Sequence, residues 1–312
     1  MVAGLGNAAD SLSGEVIVDG TRGRLTAMPA KETIERAKAQ AAQNVSAAQV
    51  AKSRIAEPAI TMDGVPIKVM VNVASLADLS DLDPSHVDGI GLTRTEFLVE
   101  NSLHDEDAQY HVYSGLVEWA KGKPVTIRTF DAGGDKPVPG YTLYGEANPF
   151  LGMRGIRLSL KHPDVFKVQL RAILRAAALG PVKIMLPMVT SPDDLERSRA
   201  LMMSCQSQLI AAGVTHAMPE LGIMVEVPVV AMAPDRFEAA FYSIGSNDLT
   251  QYATAAGRDS AEAARWSDVT HPGVLAMIAC TARYGAKTGR EVSLCGDAGG
   301  DPASIEPLLR AR

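Results

Sequence analysis

From Pro58 onward the chain alternates short apolar runs with longer amphipathic segments. The apolar runs fall at 67–74, 87–93, 125–130, 182–189, 221–227, 241–246 and 291–295. They are nearly continuous in hydrophobicity, as strands of a sheet buried on both faces are. Between them, 108–120 places Tyr110, Tyr113, Leu116, Val117 and Ala120 at helical spacing. The segment 163–179 does the same with Phe166, Leu170, Ile173, Leu174 and Ala177, and Gly180 stops it. Ser191, Pro192 and Asp194 supply a cap, a first-turn proline and a first-turn acid for the next helix. Pro272 and Gly289 bracket another, and Asp301-Pro302 opens the last. A strand followed by a helix seven times predicts a parallel α/β sheet with crossover helices. The best match is a (β/α)8 TIM-type barrel lacking its last β/α unit, with Asp301-Pro302 opening the final helix read in the chain. An open doubly wound sheet is the alternative.

The segment before Pro58 has a different texture. Residues 1–28 are Gly-rich, with one short strand at 15–18 and an Asp19-Gly20 turn signal. So short a piece has no core of its own and reads as the tail of a larger domain. Residues 29–57 are rich in Ala, Gln and Lys with a thin apolar stripe. They read as one or two helices that connect more than they pack. The expected division is 1–28, 29–57 and 58–312, the last being the barrel.

Composition narrows the classes. A hydrophobic fraction of 46% over 312 residues supports a full core. A net charge of −6 disfavours nucleic acid as a partner. No apolar run reaches 18 residues, the length expected of a membrane span. The N-terminus lacks the basic region of a signal peptide. Three irregularly spaced cysteines (Cys205, Cys280 and Cys295) fit free thiols in a reducing, cytoplasmic setting. Cys205 and Cys280 read as small buried residues of helices.

A barrel carries its chemistry at the C-terminal ends of its strands. Read there, the chain offers Asn72, Arg94, Arg128, Glu226, Asn247 with Asp248, and Cys295. Arg258 follows the Asn-Asp pair by about three helical turns' worth of chain. Two carboxylates on neighbouring strands suit one divalent ion, and several arginines facing it suit a small, highly charged anion. Together they point to phosphoryl chemistry on a compact substrate. No Walker-type loop is present, and the Gly-rich stretch 131–136 reads as a tight loop. Each residue also has a plainer use. Arg94 and Arg128 suit ion pairs across the mouth, and Glu226 suits a buried carboxylate met by an arginine. Asn247-Asp248 suits a helix cap, and Cys295 a packed apolar residue.

The blocks GIGLTRTEFL, TIRTFDAGGDK, NPFLGMRGIRLSL, IMVEVP, SIGSNDLTQYATAAGR, HPGVL and LCGDAGGD resemble the C-terminal phosphoenolpyruvate-binding barrel of enzyme I. Enzyme I is the phosphoenolpyruvate–protein phosphotransferase of the bacterial sugar phosphotransferase system. The likeness runs from about Ile60 to Asp301 in the family's order. It implies Mg²⁺, with Mn²⁺ as a substitute, held by Glu226 and Asp248. It implies that Arg94, Arg128 and Arg258 grip the substrate, with Asn247 on the phosphate and Arg154 as a further contact. It implies that Cys295 protonates the enolate as pyruvate forms. It also implies a homodimer, and as partners a phosphohistidine domain and a downstream phosphocarrier protein. Residues 1–28 then resemble the end of that swivelling domain, and 29–57 its helical linker. None of the six histidines (His86, His104, His111, His162, His216 and His271) stands in the family's acceptor context. The acceptor is therefore expected on a domain preceding Met1, and His271-Pro272 reads as a helix start. Two alternatives stay open: a non-catalytic phosphoenolpyruvate-binding module or gene fragment, and a C-terminal domain like that of pyruvate phosphate dikinase or phosphoenolpyruvate synthase.

Overall fold

The computed structural model describes residues 12–20, 23–98, 102–134, 136–257, 260 and 262–311. Strand β1 (Val16–Asp19) pairs antiparallel with β2 (Arg24–Ala27) in a separate two-stranded sheet. Helix α1 (Lys31–Ser53) follows as one uninterrupted, mostly exposed helix, in keeping with a connector that buries little.

Seven parallel strands then form one sheet in strict chain order. They are β3 (Val71–Val73), β4 (Ile90–Arg94), β5 (Val125–Arg128), β6 (Val182–Leu186), β7 (Glu220–Val225), β8 (Phe241–Gly245) and β9 (Glu291–Cys295). Sequential order without reversal is what a barrel requires, and a doubly wound sheet would reverse. The sheet also curls. Strands β4 and β9 approach each other directly. Leu92, Met185, Met224, Phe241 and Cys295, from five different strands, pack in one interior cluster. The fold is thus α/β of the TIM-barrel type with seven described parallel strands.

The helices are α2 (Thr95–Leu98), α3 (Glu106–Trp119), α4 (Ile156–Lys161), α5 (Pro163–Ala176), α6 (Pro192–Ala211), α7 (Pro228–Met232), α8 (Ser246–Thr254), α9 (Pro272–Thr288) and α10 (Pro302–Arg310). The main core lies between sheet and helices, where Phe166, Leu170, Ile173 and Leu174 of α5 meet Ile127 and Ile184. Helix α3 packs on α5, and α5 on α6. The cap signals of α6 and α9 behave as read. Ser191 and Asp194 form a reciprocal capping box at α6. His271 caps α9 through Nδ1, which accepts from Gly273 N at 3.0 Å, and Gly289 closes it at φ 68°. No described helix is long and apolar enough to cross a membrane.

The differences from expectation concern lengths. The first strand was expected over 67–74 and covers only Val71–Val73. It is an edge strand with β4 as its single neighbour, and Ile67 and Val69 are exposed. Most of the others stop one to three residues before their apolar run does. Thr129, Phe130, Met188 and Glu226 are buried although they have left the sheet. A buried loop at a barrel mouth has the same apolar signature as the strand it extends. Helix α5 ends at Ala176, short of the expected 179, and Cys280 of α9 is half-buried where full burial was expected.

Candidate active site

Arg128 is the last residue of β5, a strand buried at every position, and only 4% of it is exposed. Its Nη2 donates to Glu96 Oε1 at 2.6 Å, and its Nη1 lies 3.1 Å from Asp131 Oδ2. Nη1 also reaches Met224 Sδ on β7 at 3.7 Å, across the inside of the sheet. Burial opposes the guanidinium charge, but Glu96 and Asp131 outweigh it and the pKa is raised. Arg128 Nε is buried without a hydrogen-bond partner.

The loop after β5 supplies the next two groups. Gly133 and Gly134, at φ 102° and 66°, fold the chain back, and Gly133 and Lys136 exchange backbone hydrogen bonds. A side chain at Gly133 would meet Met153 O at 2.6 Å, so glycine is required there. The turn brings Lys136 Nζ to 2.8 Å from Glu96 Oε1 and 3.0 Å from Asp131 Oδ2.

Arg154 is the largest fully buried side chain in the protein's described core. Its Nε and Nη2 donate to the two oxygens of Asp131 at 3.0 and 3.1 Å. Its Nη1 and Nη2 donate to the two oxygens of Asp248 at 3.0 and 3.1 Å. Nη1 also donates to Tyr252 Oη at 3.1 Å, and that hydroxyl donates to Phe150 O at 2.6 Å. Asp131 therefore touches Arg128, Lys136 and Arg154. Burial would raise its pKa, but the three cations overcome that and hold it well below the usual carboxylate range.

Glu226, just past β7, has the opposite problem. It is fully buried, and Oε1 accepts from Met188 N at 2.5 Å. Met188 adopts φ 57°, a costly conformation for a residue with a side chain. Glu226 Oε2 has no hydrogen-bond partner. Burial first, then the nearby charges of Asp248 and Asp131, push its pKa up to about 8. This is the signature of a carboxyl group short of positive charge.

Cys295 ends β9 and is buried, with Sγ 3.6 Å from Ser243 Oγ and 3.5 Å from Ile244 O. Burial pushes its thiol up to about 11, with Arg128, Glu226 and Arg94 among the charges it senses. Asn247 sits at the rim. Its Nδ2 donates to Asp297 Oδ2, and its Oδ1 accepts from Asp297 N, both at 3.1 Å. Arg94 ends β4 directly beside Arg128 in the parallel register. Helix α8 starts at Ser246, so Asn247 and Asp248 lie inside its first turn and do not cap it. It stops at Thr254 with Ala255 left-handed, and Arg258 lies outside the described residues. Asn72 is exposed within the edge strand β3, paired in register with Leu92 of β4.

The structure thus gathers Arg128, Arg154, Glu226, Asp248 and Cys295 at the strand ends, with Arg94 and Asn247 at the edge. Glu96, Asp131, Lys136 and Tyr252 belong to the same network and were not singled out from the sequence. The 131–136 stretch is the tight loop it reads as. Its two ends carry the missed charges, and Asp131 three residues after Arg128 was the available signal. Among the described residues no group of three His, Cys, Asp or Glu is placed to hold a metal. Were a cation bound here, Glu226 and Asp248 would be the carboxylates at hand, and the orphaned, charge-starved Oε2 of Glu226 fits such an ion.

Fold and site together define a parallel β/α barrel with a buried arginine–carboxylate mouth. Residues 47–311 match the family described as PEP-utilising enzyme, PEP-binding domain. The chain belongs to this family. It is 37% identical to a phosphoenolpyruvate-protein phosphotransferase of Geobacillus stearothermophilus, over 94% of this chain and 52% of that protein. It is 40% identical to the Haloferax volcanii protein of the same name, over 99% of this chain and 55% of that one. It is also 38% identical to a multiphosphoryl transfer protein of Rhodobacter capsulatus, covering 98% and 37% of the two chains. The chain spans about half the length of the phosphotransferases it matches.

Proposed function

We propose that this chain is the phosphoenolpyruvate-binding barrel of a phosphoenolpyruvate–protein phosphotransferase, in which phosphoryl transfer from phosphoenolpyruvate to a histidine releases pyruvate. The observation that carries the reading is that the mouth holds a buried donor and a buried acceptor without partners, Arg128 Nε and Glu226 Oε2, with the Glu226 charge acting on Arg128. A ligand that brings both an anion and a cation satisfies the two at once.

Arg94 and Arg128, adjacent at the ends of β4 and β5, neutralise the phosphate, and Arg258 and Asn247 complete its grip. Arg154 stands behind them. Glu226 and Asp248 would hold Mg²⁺ or Mn²⁺, which would supply positive charge to offset that of the phosphate. As the histidine nitrogen bonds to phosphorus, the bond from phosphorus to the enol oxygen breaks and that oxygen keeps the electron pair. Cys295 then gives its proton to C3 of the enolate. A thiol held up to about 11 by burial is fully protonated at neutral pH, ready for this step. Residues 1–28 are assigned to the end of a phosphohistidine domain, 29–57 to a linker and the rest to the barrel. The histidine belongs to that domain, a phosphocarrier protein receives the phosphoryl group, and the barrel pairs with a second copy. The setting is cytoplasmic.

Calorimetry of phosphoenolpyruvate binding with and without Mg²⁺ tests the reading. Binding should need the metal and should weaken in Asp248→Ala and Arg128→Ala, the latter roughly tenfold or more. Equal affinity in the metal-free protein and in Asp248→Ala would overturn it.

A further inference from the structure

An arginine side chain has five N–H donors. In Arg154 all five are engaged: two by Asp131, two by Asp248 and one by Tyr252. No donor is left for a ligand, although the side chain lies wholly buried among the charges of the mouth. The two ends of the guanidinium are not equivalent. Asp131 is fully buried, is held by Arg128 and Lys136 as well, and lies in a loop fixed by a glycine that no other residue can replace. Asp248 sits in the first turn of α8 at 7% exposure, and Arg154 contacts both of its carboxylate oxygens.

We propose that Arg154 is a positioning residue that acts as a latch on Asp248, with Asp131 as its pivot. The inference rests on the reading of Asp248 as a cation donor. While both Asp248 oxygens accept from the guanidinium, the carboxylate can clasp a divalent ion with both oxygens only by giving up the Arg154 Nη1 and Nη2 bonds. Those two nitrogens are then left needing acceptors in a buried place, where an unmatched donor is costly. The oxygens of an incoming phosphate satisfy them. Anion binding therefore releases Asp248, and a released Asp248 favours the cation. The coupling runs through one side chain and needs no contact between the two ligands. Asp131 keeps the guanidinium from following Asp248 away.

The test measures Mn²⁺ binding to the whole chain, reading free ion by electron paramagnetic resonance, alone and with inorganic phosphate or phosphoenolpyruvate. In the parent, Mn²⁺ alone should bind weakly and inorganic phosphate should strengthen it. Arg154→Lys keeps the charge, but its compact ammonium cannot fork across both carboxylates. Its affinity for Mn²⁺ alone should rise about fivefold or more, in line with a lost charged hydrogen bond, and the gain from phosphate should shrink. Tyr252→Phe removes one acceptor of the latch without changing charge, and should shift both quantities the same way by a smaller factor. It also decides the matter if Arg154→Lys does not fold. If both variants bind Mn²⁺ alone as the parent does, while the parent still takes up Mn²⁺ with phosphoenolpyruvate, the latch is wrong and the cation site stands. If the parent takes up no Mn²⁺ even with phosphoenolpyruvate, the cation site is wrong and the latch falls with it.

Discussion

Replacing Asp131 by Asn removes one negative charge from beneath three cations while keeping the shape of the side chain. In the native arrangement Asp131 accepts two bonds from Arg154 and one from Lys136, and pairs with Arg128 at 3.1 Å. The loss is partly cushioned. Arg154 keeps Asp248, and Arg128 and Lys136 keep Glu96. Breaking a buried ion pair on one side costs about 3–5 kcal/mol. With one neutral oxygen still accepting, Asp131→Asn should cost about 2–4 kcal/mol. In urea the unfolding midpoint should fall by roughly 1 M. The excess positive charge left behind also predicts rescue. Saturating inorganic phosphate, bound only by the folded state, should restore more stability to Asp131→Asn than to the parent. An unchanged midpoint would mean that Asp131 is not the hub of this network. A lowered midpoint with no added benefit from phosphate would mean that the freed cations do not face a common anion site.

Three further outcomes can be measured. Cys295 ionises near 9 when unfolded and near 11 when folded, so its contribution is intact below pH 9 and lost as pH rises from about 9 to 11. It should amount to about 3 kcal/mol, and denaturant midpoints at pH 8.5 and 11 should fall less in Cys295→Ala than in the parent. Gly296 has φ 98°, and a Cβ there would stand 2.3 Å from Ser246 Oγ and 2.9 Å from Asn247 Oδ1. Gly296→Ala should therefore lower thermal stability by about 1–3 kcal/mol and weaken phosphoenolpyruvate binding by displacing Asn247; normal binding would separate Asn247 from the site. Cys295→Ser, assayed with a phosphohistidine domain supplied separately, should bind phosphoenolpyruvate normally but release pyruvate far more slowly, since an alcohol is a much weaker acid than a thiol. Release at the parent rate would assign the proton to another donor.

The order of strands and helices, and the strand ends as the place where charged groups gather, follow from the sequence alone. Seven apolar runs alternating with capped amphipathic segments admit few topologies, because short connections and right-handed crossovers exclude most of them. Arg128, Glu226, Asp248 and Cys295 were visible as soon as the strands were placed, since each lies at or next to a strand's end. Local signals such as the Ser191–Asp194 capping box and the His271 cap were legible for the same reason: their physics closes within a few residues. The pairing of charges was not legible. Arg154 meets Asp131 and Asp248 across 23 and 94 residues of chain, and Arg128 meets Glu96 across 32. No periodicity encodes such distances; only the curl of the sheet brings those side chains together. The same holds for Glu226. Its sequence neighbours mark it as a carboxylate after an apolar strand, but its missing partner and its raised pKa come from what the folded barrel places around it.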